Sequence, residues 1–247
     1  MKITTMVLAA TAMCVASTLA NAEAQEEPTF IYAAYYHCNS ATVERADESV
    51  TKLYKAELDD MIKDRAASSW GWLGKIVGGE WARAGYITGP SLKAVLSAAT
   101  ALVVKSDGHP PVKAFKEACG SAEEYVWHVL AGSDPHARRG NASFSTYFVC
   151  DQSRESQADA LVKRVLGPAY DKMIAAGKLM TWTWAEHVIG GKYRRLETMT
   201  AQTPEALIAV REALVAAAEN DPLEGAMASI CGSHQDVLWD VKDQGGP

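Results

Sequence analysis

The chain has 247 residues, 24 Lys and Arg against 30 Asp and Glu, a formal charge of −6 and 48% hydrophobic residues. That balance supplies enough apolar material for one or two packed cores and excludes a disordered, collagen-like or multi-span membrane chain. With acid in excess and no basic stripe, nothing is present to neutralise nucleic-acid phosphates, so a nucleic-acid partner is excluded.

Residues 1–22 read as a cleavable leader. Lys2 is the only charge, Met6 to Leu19 is mostly apolar or small, and Ala20-Asn21-Ala22 fits a small-x-small cleavage site. The apolar stretch is short for a bilayer span and runs into Glu23, Gln25, Glu26 and Glu27. The expected address is periplasmic or secreted, with no membrane span after cleavage. Removing Cys14 with the leader leaves Cys38, Cys119, Cys150 and Cys231, an even set that export would pair as two disulfides. Four cysteines permit three pairings.

Sliding the chain against itself by 112 residues aligns its rarest residues. Cys38 falls on Cys150, Cys119 on Cys231, Trp70 and Trp72 on Trp182 and Trp184, and Trp127 on Trp239. Asp59-x-Met61-Ile62 meets Asp171-x-Met173-Ile174, Gly78-Gly79 meets Gly190-Gly191, Arg83 meets Arg195, and Trp81 faces Tyr193. Two copies of one unit are present, not a solenoid of many short repeats. They occupy residues 28–131 and 144–247, joined by a linker over 132–143 whose Gly, Ser, Asp and Pro are loop-forming. The tail Asp243–Pro247 is expected to fray.

Each copy reads strand, helix, strand, strand, helix, strand. Aromatic-rich Phe30–Cys38 and Phe144–Cys150 open the copies as strands. Val50, Leu53, Tyr54, Leu58, Met61 and Ile62 keep helical spacing, as do their counterparts from Val162 to Ile174. Ser69-Trp70-Gly71-Trp72 and Thr181-Trp182-Thr183-Trp184 alternate with period two, so each Trp pair shares one sheet face. After the Gly-Gly turn and a third strand, Leu92, Val95, Leu96 and Leu102 mark the second helix of copy one. In copy two the stripe is Leu207, Val210 and Leu214, with Thr203 as cap and Pro204 in the first turn. Tyr125-Val126-Trp127 and Val237-Leu238-Trp239 begin the last strands.

That order is the ferredoxin-like βαββαβ unit, in which the first and last strands are antiparallel neighbours. Cys38 ends the first strand and Cys119 precedes the last, so the expected bridges are Cys38–Cys119 and Cys150–Cys231. Helices cover one face of each sheet, and the copies can cover each other's remaining faces. The expected fold is α+β: two tandem ferredoxin-like units packed sheet to sheet as a pseudo-dimeric α+β barrel, with the internal pairing making a monomer.

The duplicated unit, with Trp-x-Trp before a Gly-Gly turn and an aromatic-x-Arg after it, resembles the dimeric α+β barrel superfamily. That grouping includes antibiotic-biosynthesis monooxygenase-like, EthD-like and NIPSNAP-like proteins, chlorite dismutases and dye-decolourising peroxidases. The resemblance implies a small apolar or aromatic ligand, or a haem, held between sheet and helices or inside the barrel. Tyr36, His37, Trp70, Trp72, Phe148, Trp182 and Trp184 are the candidate ligand-lining residues, against the alternative that these aromatics simply fill the core.

Glu186-His187, just past the second Trp-x-Trp, is the candidate catalytic pair, because copy one has Gly74-Lys75 there. His187 would serve as base, ligand or donor to a polar head, although neighbours on a strand point to opposite faces. No His spacing typical of metal sites and no GxSxG, GxGxxG or Walker pattern occurs, so neither metal nor resident cofactor is expected from motifs. The functional expectation is a small-molecule-binding or cofactor-independent oxygenase-like barrel. The alternatives are a non-catalytic structural barrel with a filled core and a haem-binding barrel.

Overall fold

The computed structural model describes residues 28–218 and 222–246. The leader over residues 1–22 lies outside them. The first copy contributes strands β1 (Phe30–His37), β2 (Ser69–Gly78), β3 (Arg83–Gly89) and β4 (Ser121–Gly132). The second contributes β5 (Ala142–Val149), β6 (Thr181–Ile189), β7 (Arg195–Ala201) and β8 (Ser233–Gly245). All adjacent strands pair antiparallel, and they close into one barrel in the order β1-β3-β2-β8-β5-β7-β6-β4. The copies therefore face each other and also join edge to edge, through β2–β8 and β4–β6. Closure removes the open sheet edges that would otherwise invite aggregation.

The tail corrects one expectation. Trp70, Gly71 and Trp72 on β2 pair with Gly245, Gln244 and Asp243 on β8, and Lys55 bonds Asp243 at 2.7 Å. Polar tail residues hold a strand here because backbone pairing at a barrel seam needs no apolar side chains.

Helices α1 (Val43–Ser49) and α2 (Lys55–Lys63) are joined by a π-helical turn at Val50–Tyr54. Copy two repeats this as α5 (Glu155–Leu161), a π turn at Val162–Leu166 and α6 (Gly167–Ala175). The first turns escape a hydrophobic-spacing reading because Val43–Ser49 is mostly charged. Helix α3 (Leu92–Ser106) is capped by Ser91 Oγ, which accepts from Ala94 N, and α7 (Pro204–Ala218) by Thr203 Oγ1, which accepts from Ala206 N. Each is followed by a short helix that apolar spacing did not reveal, α4 (Pro110–Ala118) and α8 (Pro222–Ile230), both opening on proline. The helices pack outside the barrel.

Disulfides Cys38–Cys119 and Cys150–Cys231 each span 81 residues and pin β1 to α4 and β5 to α8. Loops of that length correspond to about 4.5 kcal/mol each in the chain-entropy treatment. Three cores result: one under the helices of each copy and one inside the barrel.

Candidate functional site

Strand alternation sorts the side chains into two environments. Trp70, Trp72, Trp182 and Trp184 point toward the helices, and their indole N–H groups find the same partners in both copies. Trp70 donates to Asp59 and Trp182 to Asp171, at 2.9 and 2.8 Å. Trp72 donates to Asp47 and Trp184 to Asp159, at 2.7 and 2.8 Å. Arg83 and Arg195 grip those same Asp47 and Asp159 carboxylates through Nε and Nη2, at 2.7–2.8 Å. These duplicated anchors join the first helix pair to the sheet; they are architecture.

The barrel interior is closed at one end by aromatic rings. Trp81 lies against Tyr35, Tyr147 and Tyr193 with ring centres 4.4, 5.0 and 5.8 Å away, and Tyr125 stacks on Trp127. Trp81 Nε1 donates to Glu123, and Tyr193 donates to Gln235.

Toward the other end the barrel is hollow, with a cavity of about 810 Å³. Its two walls differ because the copies diverged inside. Copy two lines it with six hydroxyl side chains: Ser143, Ser145, Thr181, Thr183, Thr198 and Thr200. Copy one lines the facing side with Ile31, Ala33, Val129 and Ala131, alongside Ser69, Tyr86 and Thr88. In the closed strand order β1 stands opposite β5, so Ile31 and Ala33 face Ser143 and Ser145. The floor is Tyr35, Tyr147, Leu73 and Leu196. Burial, reinforced by their closeness to each other, pushes the Tyr35 phenol well above the usual range. Burial does the same to Tyr147. Both remain protonated donors at neutral pH.

The rim is the connection between the copies, Ser133 to Arg139. Ser133 N bonds Trp182 O and Gly140 N bonds Thr200 Oγ1, fixing the connection to β6 and β7. Arg139 then reaches across to the facing strands, donating to Ser69 Oγ at 3.0 Å, Tyr86 hydroxyl at 2.6 Å and Gly245 O at 2.9 Å.

Of the residues singled out in the sequence, Trp182 borders this cavity, although its indole lies in the helix-side core of copy two. Tyr36, Trp70, Trp72, Phe148 and Trp184 belong to the helix-side cores. His37 is half-exposed beside Glu123. Glu186 and His187 do point to opposite faces. Glu186 bonds His128 Nδ1 at 2.9 Å, whereas His187 enters the closed end of the barrel, edge-on to Tyr125 and Trp127. Its Nδ1 accepts from Arg194, and burial together with that cation lowers its pKa, keeping the ring neutral. His187 does not border the cavity. Tyr35, Tyr86, Tyr147, Arg139 and the hydroxyl wall were missed. The exchange of Ile31 and Ala33 for serine across the repeat was the available signal.

No group of three or more metal-ligating side chains gathers among the described residues. Two histidines, His128 and His136, border the cavity. His128 is held by Glu186 and stacked on Phe30, His187 lies edge-on to Tyr125 and Trp127, and indoles and phenyl rings fill the helix-side cores.

No family model and no curated protein matches the chain. Solved structures do. An anthrone oxidase-like protein superposes with a TM-score of 0.57 at 12% identity, over 90% of this chain and 94% of its own. A dye-decolorizing peroxidase from Bacteroides thetaiotaomicron gives 0.55 at 10% identity, over 88% and 93%. A haem-binding protein from Thermus thermophilus gives 0.51 at 12% identity, over 87% and 91%. At such identities the likeness is one of fold, and it agrees with the closed eight-stranded barrel: the chain has the dimeric α+β barrel fold, both halves in one polypeptide.

Proposed function

We propose that this is an exported, monomeric protein that binds a small organic molecule inside its barrel. The hollow between the two copies, hydroxyl-lined on one side and apolar on the other, carries this reading. Its volume lies within the range of small-molecule sites, and such sites combine apolar walls with a few convergent polar groups. Export rests on the leader over residues 1–22 and on two long-range disulfides, which persist in oxidising compartments. No helix among the described residues is long and apolar enough to cross a membrane.

An oxygenase-like use of the same cavity is the second reading. The anthrone oxidase-like likeness favours it, and so do the two protonated phenols on the floor, which can donate to a developing oxyanion. His187, partly exposed at the other end of the barrel, is not called on in this version.

The test is 1-naphthol titration followed by tryptophan fluorescence, in wild type and in Thr198→Trp, whose indole projects into the cavity from β7 and takes up part of it. Saturable binding that weakens in Thr198→Trp is expected. Binding of equal affinity in the variant contradicts the reading.

A further inference from the structure

Arg139 occurs once. Arg83 and Arg195 are counterparts across the repeat, but Arg139 sits in the connection, which a duplicated unit supplies only between its halves. The connection is anchored on β6 and β7, and the guanidinium is held on β2, β3 and β8, so this side chain spans the mouth of the cavity.

Its partners are all neutral. Nη1 donates to the Ser69 and Tyr86 hydroxyls and Nη2 to the Gly245 carbonyl, and the Tyr86 ring lies under the guanidinium at 5.4 Å. No carboxylate lies within ion-pair distance among the described residues. Arg83 and Arg195 show the contrast, because their Nε–Nη2 edges each hold an aspartate. In Arg139 the same edge has only Gly245 O, which leaves Nε–H unused. A half-buried guanidinium fixed by neutral acceptors has no countercharge beside it and a free donor edge, which is the arrangement that recognises a planar carboxylate. The acidic Asp134 on the same rim disfavours a more highly charged anion.

We propose that the cavity takes a monoanionic organic acid, its carboxylate on the Nε–Nη2 edge of Arg139 and its body inside the barrel between the Ile31–Ala33 wall and the Ser143–Ser145 wall. The proposal rests on the binding reading above and adds the ligand's chemical class.

Three probes of similar size test it by isothermal titration on the purified protein: 2-naphthoate, the neutral 2-naphthylmethanol and 2-naphthyl phosphate. Wild type is expected to bind 2-naphthoate at least tenfold more tightly than the alcohol. Arg139→Gln should erase that difference, the naphthoate losing far more affinity than the alcohol, and Arg139→Lys should restore part of it. Arg138→Gln, at the neighbouring position, should behave as wild type. Near-ultraviolet circular dichroism checks that each variant is folded, and should Arg139→Gln not fold, the lysine variant and the loss of the naphthoate preference at high salt carry the test. Unchanged naphthoate affinity in Arg139→Gln, or no salt sensitivity, overturns the proposal while alcohol binding keeps the cavity reading intact. Tighter binding of the phosphate overturns the carboxylate assignment. Binding of none of the three defeats both readings together.

Discussion

Asp47 and Asp159 show how much one carboxylate can organise. Each accepts from a tryptophan indole and from both prongs of an arginine that is nearly enclosed, with 10% exposure for the Arg83 side chain and 3% for Arg195. Removing the acid leaves a buried cation and an orphaned N–H, whose combined cost exceeds that of losing an exposed ion pair. Asp47→Ala should therefore lower the unfolding free energy by about 3 kcal/mol, read by urea denaturation. A loss below about 1 kcal/mol, the level of an exposed pair, contradicts the assignment. Glu197 is the opposite case. It lies in the helix-side core of copy two, where its counterpart in copy one is Gly85, and it accepts from the Tyr170 hydroxyl. Burial raises its pKa despite that bond and the nearby Arg211. Ionisation is thus harder in the folded than in the unfolded chain, so its contribution to stability is present below the ordinary carboxylate range and is lost as pH rises toward the raised folded value. Glu197→Gln, which still accepts from Tyr170, should gain thermal stability over wild type progressively as pH rises above the ordinary carboxylate range. A difference independent of pH contradicts this assignment.

At the scale of elements, strand parity decides where every aromatic goes. The Trp-x-Trp alternation was legible as a shared face, but spacing alone does not say whether that face meets helices or the opposing copy. The Asp47 and Asp59 partners on the first helix pair settle it. In β1 the adjacent Tyr35 and Tyr36 split between the two sides, and only Tyr35 borders the cavity. The disulfides were legible because strand order places the cysteines at one sheet end. The charged first turns of α1 and the short α4 and α8 were not, since none carries a long apolar stripe. β2 and β3 also show a fitted pair. A Cβ on Gly71 would enter the Tyr86 ring, so the absent side chain is what lets Tyr86 lie across β2 and reach Arg139. Gly71→Ala should cost about 2 kcal/mol through overpacking and weaken ligand binding, measured by urea unfolding and the naphthol titration. Unaltered stability and affinity contradict the fit.

For the whole molecule, duplication explains both the fold and the asymmetry of the site. Each copy alone exposes one sheet face and two sheet edges, and the partner copy covers the face while β2–β8 and β4–β6 pair the edges. Matching residues outside the barrel preserve the Trp–Asp–Arg anchors, whereas inside it Ile31 and Ala33 correspond to Ser143 and Ser145. The duplication was fully visible in the sequence. The cavity was not, because it depends on how the two halves leave space between them. The most direct check is a crystal structure of the protein soaked with 6-bromo-2-naphthol and the position of the bromine anomalous peak. The account predicts a peak inside the barrel between Ala33 and Thr198, beneath Arg139; a peak between sheet and helices beside Trp72 or Trp184, with the barrel empty of probe, would contradict it.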